Sequence, residues 1–216
     1  MAYGINIENI YGSSIIDEYY SGYTVFAYKT LYIRNVPEGY AFTAKEGVIN
    51  VSNLPLGSII AFKPPVGALI SYWGNRVYSN SNVDLPYVIL CPHSFLGPSQ
   101  TAYGVRVYNR NKKVVFDTGN ALLNTLNIYS YNSYNAPPRI QAKENSWIIS
   151  TTIGVVILIA AGSRSTSRSR AAFLHKAANG DYDVRTDYIG RGPGLVDEGS
   201  RRVGNYQISF IEVEIV

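Results

Sequence analysis

Residues Tyr3 to Asp17 (YGINIENIYGSSIID) recur one hundred positions later as Tyr103 to Asp117 (YGVRVYNRNKKVVFD), aligned without a gap. The copies share Tyr3/Tyr103, Gly4/Gly104, Asn9/Asn109 and Asp17/Asp117, and exchange like for like at Ile5/Val105, Ile7/Val107, Ile15/Val115 and Ile16/Phe116. Each alternates apolar and polar residues, breaks at a polar tetrad, and runs apolar again into an aspartate. That is the pattern of a β-hairpin with one buried face. Gly12 suits the left-handed position of such a turn; the second copy has Lys112 there and is expected to use Asn111 or another turn. A repeat that survives a change of turn chemistry reads as structural.

Between the copies, apolar and aromatic stretches follow at short spacing: Tyr23 to Val36, Tyr40 to Val51 around a turn candidate at Lys45-Glu46-Gly47, Leu54 to Phe62, Gly67 to Trp73, Arg76 to Tyr78 and Tyr87 to Cys91. No twelve-residue window here shows a helical period, and Gly, Pro and Asn punctuate the runs. The second half repeats the order, with Leu122 to Tyr134, an apolar core strand and a closing strand, Tyr206 to Val216, whose parity change at Phe210 and Ile211 asks for a bulge or two buried faces. The expected fold is all-β, two tandem antiparallel β-sandwiches over 1–96 and 103–216, joined by a linker at 97–102 and each opened by a similar hairpin. A single larger sandwich is the other possibility that 216 residues allow.

The strand opening Tyr-Gly-apolar-x-apolar, the turn Asn and the return strand ending apolar-Phe-Asp resemble the hairpin of small β-rich virion proteins of tailed bacteriophages, found among tail-tip, baseplate and tail-fibre components. The likeness covers about thirty residues, is better in the second copy, and departs at Thr118, where that family often has Ser. It implies a structural virion component acting through protein–protein contacts with other virion proteins and in a homo-oligomer. It transfers no catalytic residue, and no cofactor or metal is expected.

Composition agrees with a folded chain, 46% hydrophobic and 16% charged, whose sparse charge suggests surface covered by partners. The net charge of +4 does not call for nucleic acid, and the single Cys91 rules out an internal disulfide and a cysteine-based zinc cluster. The N-terminus has no basic start followed by an apolar run, so synthesis in the host cytoplasm and residence in the virion are expected. Ser146 to Ser163 is uncharged, but its Ile, Val and Thr suit a buried strand or strand pair better than a membrane span.

Catalytic constellations are scarce. Cys91 and His93 would share a face of an extended segment, yet Pro92 and the apolar run before it make a buried strand-end cysteine and a turn histidine the plainer reading. His175, in the mildly helical AAFLHKAA, has no acidic or cysteine neighbour at ligand spacing and reads as a surface or packing residue. Asp181, Asp183 and Asp187 fail the calcium-loop pattern, and GRGPG (190–194) lacks the Gly-Lys-Ser/Thr ending of a phosphate loop. They read as a turn and a flexible loop.

Two segments carry candidate contacts. Ser163 to Arg202 holds eight of the nineteen Lys and Arg residues against five acids, and is expected to be a long basic arm ordered by a neighbouring subunit. Arg164, Arg168, Arg170, Arg185, Arg191, Arg201 and Arg202 would there meet carboxylates or backbone carbonyls. The Tyr- and Asn-rich stretch Asn124 to Asn135 resembles a polar-aromatic paratope, so Tyr129, Tyr131 and Tyr134 are candidates for contact with a host surface receptor or glycan. That gives the alternative function, a receptor- or glycan-binding tail module; a two-carboxylate glycan hydrolase is a remote third.

Overall fold

The computed structural model describes residues 7–8, 14–16, 22–35, 45–73, 75–101, 103–132, 141, 143, 145–150, 155–158, 167–192 and 207–215. At 73 and within 7–16, 130–132, 150–173, 184–192 and 207–210 only the backbone is described. The protein is all-β. In chain order the strands are β1 (Ile7–Glu8), β2 (Ser14–Ile16), β3 (Tyr23–Ile33), β4 (Lys45–Val48), β5 (Ile59–Phe62), β6 (Leu69–Trp73), β7 (Arg76–Ser79) and β8 (Val83–Pro92). A helical turn, α1 (His93–Leu96), precedes β9 (Arg106–Tyr108), β10 (Val114–Asp117), β11 (Leu123–Asn132), β12 (Trp147–Ser150), β13 (Val155–Leu158), β14 (Ser167–Lys176), β15 (Tyr182–Gly192) and β16 (Gln207–Ile215).

One six-stranded sheet runs β11-β16-β12-β5-β8-β3, with every neighbouring pair antiparallel. Its two edge strands meet. Thr24 bridges Leu122 in antiparallel sense, and the Thr24 hydroxyl donates to the Ala121 carbonyl at 2.7 Å. The sheet therefore closes into a small barrel whose interior is filled by alternate side chains, Ala61, Val88, Leu90, Ile149 and Val213, with Tyr23, Val25, Ile59, Leu123 and Ile211 packed against them. The second sheet, β13-β14-β6-β7-β4 with β15 added on β14, covers part of the barrel's outside. The larger core lies there, with Ile33, Phe62, Leu85 and Ile89 of the barrel against Ile70 and Val77 of the sheet. Burying each such side chain contributes about 1.5 to 3 kcal/mol.

Residues 97–102 separate two stretches of sequence but not two sandwiches. Both large sheets draw strands from both sides of that segment, so the tandem arrangement expected over 1–96 and 103–216 gives way to an interleaved one. The barrel order has a two-fold pattern, β3-β8-β5 followed by β12-β16-β11, and the halves join where β5 pairs β12 and where β3 meets β11. The second sheet follows suit, with β7 beside β6, β6 beside β14, and β14 beside β15. Three barrel strands per half cannot close alone; joining the halves pairs β5 with β12 and brings the starts of β3 and β11 together at the Thr24–Leu122 bridge.

Four local readings also change. Lys45-Glu46-Gly47 is strand, not turn: a Cβ on Gly47 would come within 2.9 Å of Leu31, so this glycine permits close approach of β4 to β3. AAFLHK is strand, held between β6 and β15 despite its alanines. The 163–202 segment is not a loop throughout, since β14 and β15 form a long hairpin within it. The irregularity beside Val213 and Glu212 is in β11, between Thr125 and Asn127, while β16 pairs continuously. Ser146 to Ser163 contains two strands in different sheets, β12 in the barrel and β13 in the second sheet, and no helix among the described residues is long and apolar enough to cross a membrane.

Candidate functional site

The repeated segments fold as the same hairpin. Ile7 pairs Ile16 and Glu8 pairs Ser14; Val107 pairs Phe116 and Tyr108 pairs Val114. The registers are identical after the shift of one hundred, and so is the skipped residue, Ile15 in one copy and Val115 in the other. That bulge lets Val114 and Val115 both be buried.

The side chains of the second hairpin show what three of the shared residues do. Asn109 makes the turn: its Oδ1 accepts from the N–H groups of Asn111 (2.9 Å) and Lys113 (3.0 Å), and its carbonyl from that of Lys112 (2.9 Å). With the turn so clamped, Lys112 itself takes the left-handed conformation, φ 59°, and Asn111 is not needed for it. Gly104 has φ 141°, and a Cβ there would collide with the Thr118 hydroxyl, which accepts from the Val105 N–H at 2.9 Å. Asp117 is the hub.

The Asp117 carboxylate is 1% exposed and accepts from the N–H of Ser99 (2.7 Å), the N–H of Gly119 (2.8 Å), the Ser99 hydroxyl (3.0 Å) and Arg106 Nε (2.8 Å). Burial pushes its pKa up, but the donors from Ser99, Gly119 and Arg106 together overcome this and bring it to about 2. Arg106 carries the network on to the carbonyls of Ser99 (2.6 Å) and Thr101 (3.0 Å), so the expected linker is strapped to the hairpin. The hairpin in turn docks on the barrel. Gly22 donates to the Val115 carbonyl at 3.2 Å and accepts from the His93 N–H at 2.9 Å, and the His93 ring lies 6.1 Å from that of Phe116.

Tyr103 is different. It is shared by the two copies, yet it is 93% exposed, and Val105 and Tyr108 beside it are half exposed. Hairpin geometry explains Gly104, Asn109 and Asp117; among the described residues no contact explains Tyr103.

Compared with family models, with curated proteins and with solved structures, the chain matches none. Its chemistry must therefore be read from its own side chains. Cys91 and His93 are both fully buried, and burial pushes the thiol up and the imidazole down, the opposite of what a thiolate–imidazolium pair requires. His175 is buried, with Nδ1 2.8 Å from Asp183 across the β14–β15 hairpin, an acidic partner that local spacing does not reveal. The Asn179–Asp181 turn is closed by its own side chains, and no group of three metal-ligating residues occurs among the described residues. Asp187 lies on β15, and 193–194 of the glycine-rich loop lie outside the described residues.

Of the basic candidates, Arg168 and Arg170 are on β14 and Arg185 and Arg191 on β15, where Arg168 pairs with Arg191 and Phe173 with Arg185. Arg164, Arg201 and Arg202 lie outside the described residues, as does Tyr134. Tyr131 pairs with Ile208 in the barrel wall. Tyr129 points its hydroxyl at Glu212 (3.3 Å), a fully buried carboxylate that also accepts from Asn127 Nδ2 (2.7 Å) and the Lys143 N–H (2.7 Å). Burial raises the Glu212 pKa, but donors from Asn127, Lys143, Ser146 and Tyr129 outweigh it and hold the group below the usual range. Glu212 thus ties β16 to β11 and to the segment before β12. Its place in an Ile-Glu-Val-Glu-Ile alternation signals only a face turned away from the barrel interior; its nearness to Tyr182 of β15 is a long-range fact.

Proposed function

We propose that this chain is a structural component of a tailed-bacteriophage virion, in the tail tip, baseplate or a fibre-associated position, working through contacts with other virion proteins and with copies of itself. The observation that carries this reading is Tyr103, a shared residue of the duplicated hairpin with no contact to explain it among the described residues, presented to water on a hairpin fixed by the Asp117 network. An exposed tyrosine on a rigid element is suited to a protein contact, since it offers a large apolar area with little conformational entropy to lose. The resemblance of the hairpin to those of phage virion proteins supplies the assembly. Arg168, Arg170, Arg185 and Arg191, carried on a paired hairpin, would add guanidinium forks to a second contact.

Mass spectrometry and antibody labelling of purified particles of the encoding phage test this directly. The chain is expected at a fixed copy number in one structure of the particle, with Tyr103→Ser folding normally but entering particles poorly. Absence of the chain from purified particles, or full incorporation of the variant, overturns the reading.

A further inference from the structure

One end of the barrel is lined by aromatic rings. Tyr28 on β3 and Trp147 on β12 come from strands on opposite sides of the closed sheet, and their rings meet across the mouth, 5.8 Å between centroids and inclined at 46°. Lys63, just past β5, places its Nζ 6.0 Å from the Trp147 ring centre and donates to Asn145 Oδ1 at 3.4 Å. Trp147 is half-buried against the barrel interior, which fixes its ring, while Tyr28 is 60% exposed above it. Alternation along β3 brings Thr30 and then Tyr32, 66% exposed, to the same face, and Tyr28 and Tyr32 stand about 13 Å apart along the strand. Arg34 lies over the Tyr32 ring at 5.9 Å.

This row of rings is unlike the other exposed apolar surface, because hydrogen-bonding groups alternate with it and its charges are mostly matched. Arg34 is paired with Asp84, and Lys143 Nζ lies 3.9 Å from Glu214. Lys29 alternates to the opposite face of β3. Among the described residues one ammonium, that of Lys63, stands at the aromatic pair. A polyanion such as single-stranded nucleic acid would call for a track of unmatched cations along the stacking platform. A protein partner would call for a more continuous apolar centre. A ligand with an apolar C–H face to lie on the rings and a rim of hydroxyls to meet Lys63, Asn145, Thr30 and the tyrosine hydroxyls fits what is there.

We propose that the barrel mouth binds a neutral oligosaccharide, laid along β3 on the rings of Trp147, Tyr28 and Tyr32. The site is separate from the Tyr103 hairpin and does not depend on the assembly role. It also differs from Tyr129, whose hydroxyl is engaged by Glu212.

The full chain is tested on an array of neutral and acidic bacterial, plant and animal glycans, and the best ligand is then titrated by tryptophan fluorescence. Expected are retention of at least one neutral oligosaccharide, a change in tryptophan emission on binding, and little dependence on salt. Tyr28→Ala and Tyr32→Ala, both at exposed positions, should each weaken binding by about tenfold without shifting the unfolding midpoint. No retained glycan at ligand concentrations of about 1 mM, or equal binding by both variants, overturns the proposal. So does selective, salt-sensitive retention of acidic glycans or of oligo-thymidine offered in the same buffer.

Discussion

Replacing Asp117 by Asn tests whether the second hairpin is held by a charge or only by its shape. In the native protein four donors converge on the carboxylate, from Ser99 (two), Gly119 and Arg106. An amide has one oxygen to accept them and turns an N–H₂ toward the remaining donors, leaving some unpaired at a buried position. Unmade bonds of this kind cost about 2 to 4 kcal/mol in total. The pH dependence is a sharper check. The Asp117 pKa is about 2 in the folded protein against an ordinary 3.8, a difference equivalent to about 2 kcal/mol. Arg106, one of the donors, is 30% exposed, so screening of that ion pair by water reduces this to about 1 to 2 kcal/mol. Because the folded pKa is the lower one, the stabilisation is present in full above pH 3.8 and is lost as pH falls toward 2. Urea unfolding of both proteins from neutral pH to the lowest pH at which they remain soluble should show a gap that narrows on the acid side. A variant within about 0.5 kcal/mol of the parent at neutral pH, or a gap independent of pH, refutes the charge-based account.

Gly104→Ala should lower stability by about 1 to 3 kcal/mol in the same unfolding measurement, from the left-handed backbone and the collision with the Thr118 hydroxyl; an unchanged midpoint would show that the hairpin start can rearrange freely. His93 is fully buried, neither ring nitrogen has a hydrogen-bond partner among the described residues, and burial lowers its pKa while the Asp117 carboxylate partly restores it. The unfolded chain therefore takes up its proton first, so stability declines as pH falls below about 6.5. His93→Leu should remove that part of the decline in melts between neutral and mildly acid pH, and parallel profiles for parent and variant would count against it.

Much of the local structure is legible in the sequence because a strand with one covered face must alternate. Tyr23 to Val36 and Tyr87 to Cys91 are identified that way, and the gapless repeat predicts paired hairpins whose registers agree residue for residue. What does not appear is which strand lies beside which. Phe62 and Ile148 signal buried faces, but not that they sit opposite one another and join the halves of the chain. Composition also misleads where it stands in for pattern. Ser167 to Arg170 alternates serine and arginine, the period of a strand, although its serines and charges suggest an unpaired arm. Gly47 resembles a turn because sequence cannot separate a glycine chosen for its backbone from one chosen for its lack of a side chain. Among the residues of the proposed glycan surface, Tyr28 and Tyr32 are two more tyrosines in a chain with nineteen, and only closure of the barrel brings Trp147 against the first of them.

The duplication and the interleaved topology are two sides of one arrangement. Each hairpin copy is followed after the same interval by a barrel strand, β3 starting at Tyr23 and β11 at Leu123, and these are the strands that meet where the barrel closes. The halves thus correspond in connection as well as in sequence, and they relate to each other as two subunits of a two-fold dimer would if each lent the other the strands it could not close alone. In such an arrangement a residue that serves the joint must differ between halves, since one covalent chain needs only one linker. The Ser99 and Thr101 contacts to Arg106 illustrate this, as they bind the linker to the second hairpin through a residue that is Asn6 in the first copy. A residue that serves outward contact is free to recur, and the tyrosine at Tyr3 and Tyr103 does. Divergence at the turn between Gly12 and Lys112, beside the recurrence of Gly104, Asn109 and Asp117 that build the hairpin, leaves the recurring tyrosine, exposed at Tyr103, as the residue whose repetition the second hairpin's own contacts do not require.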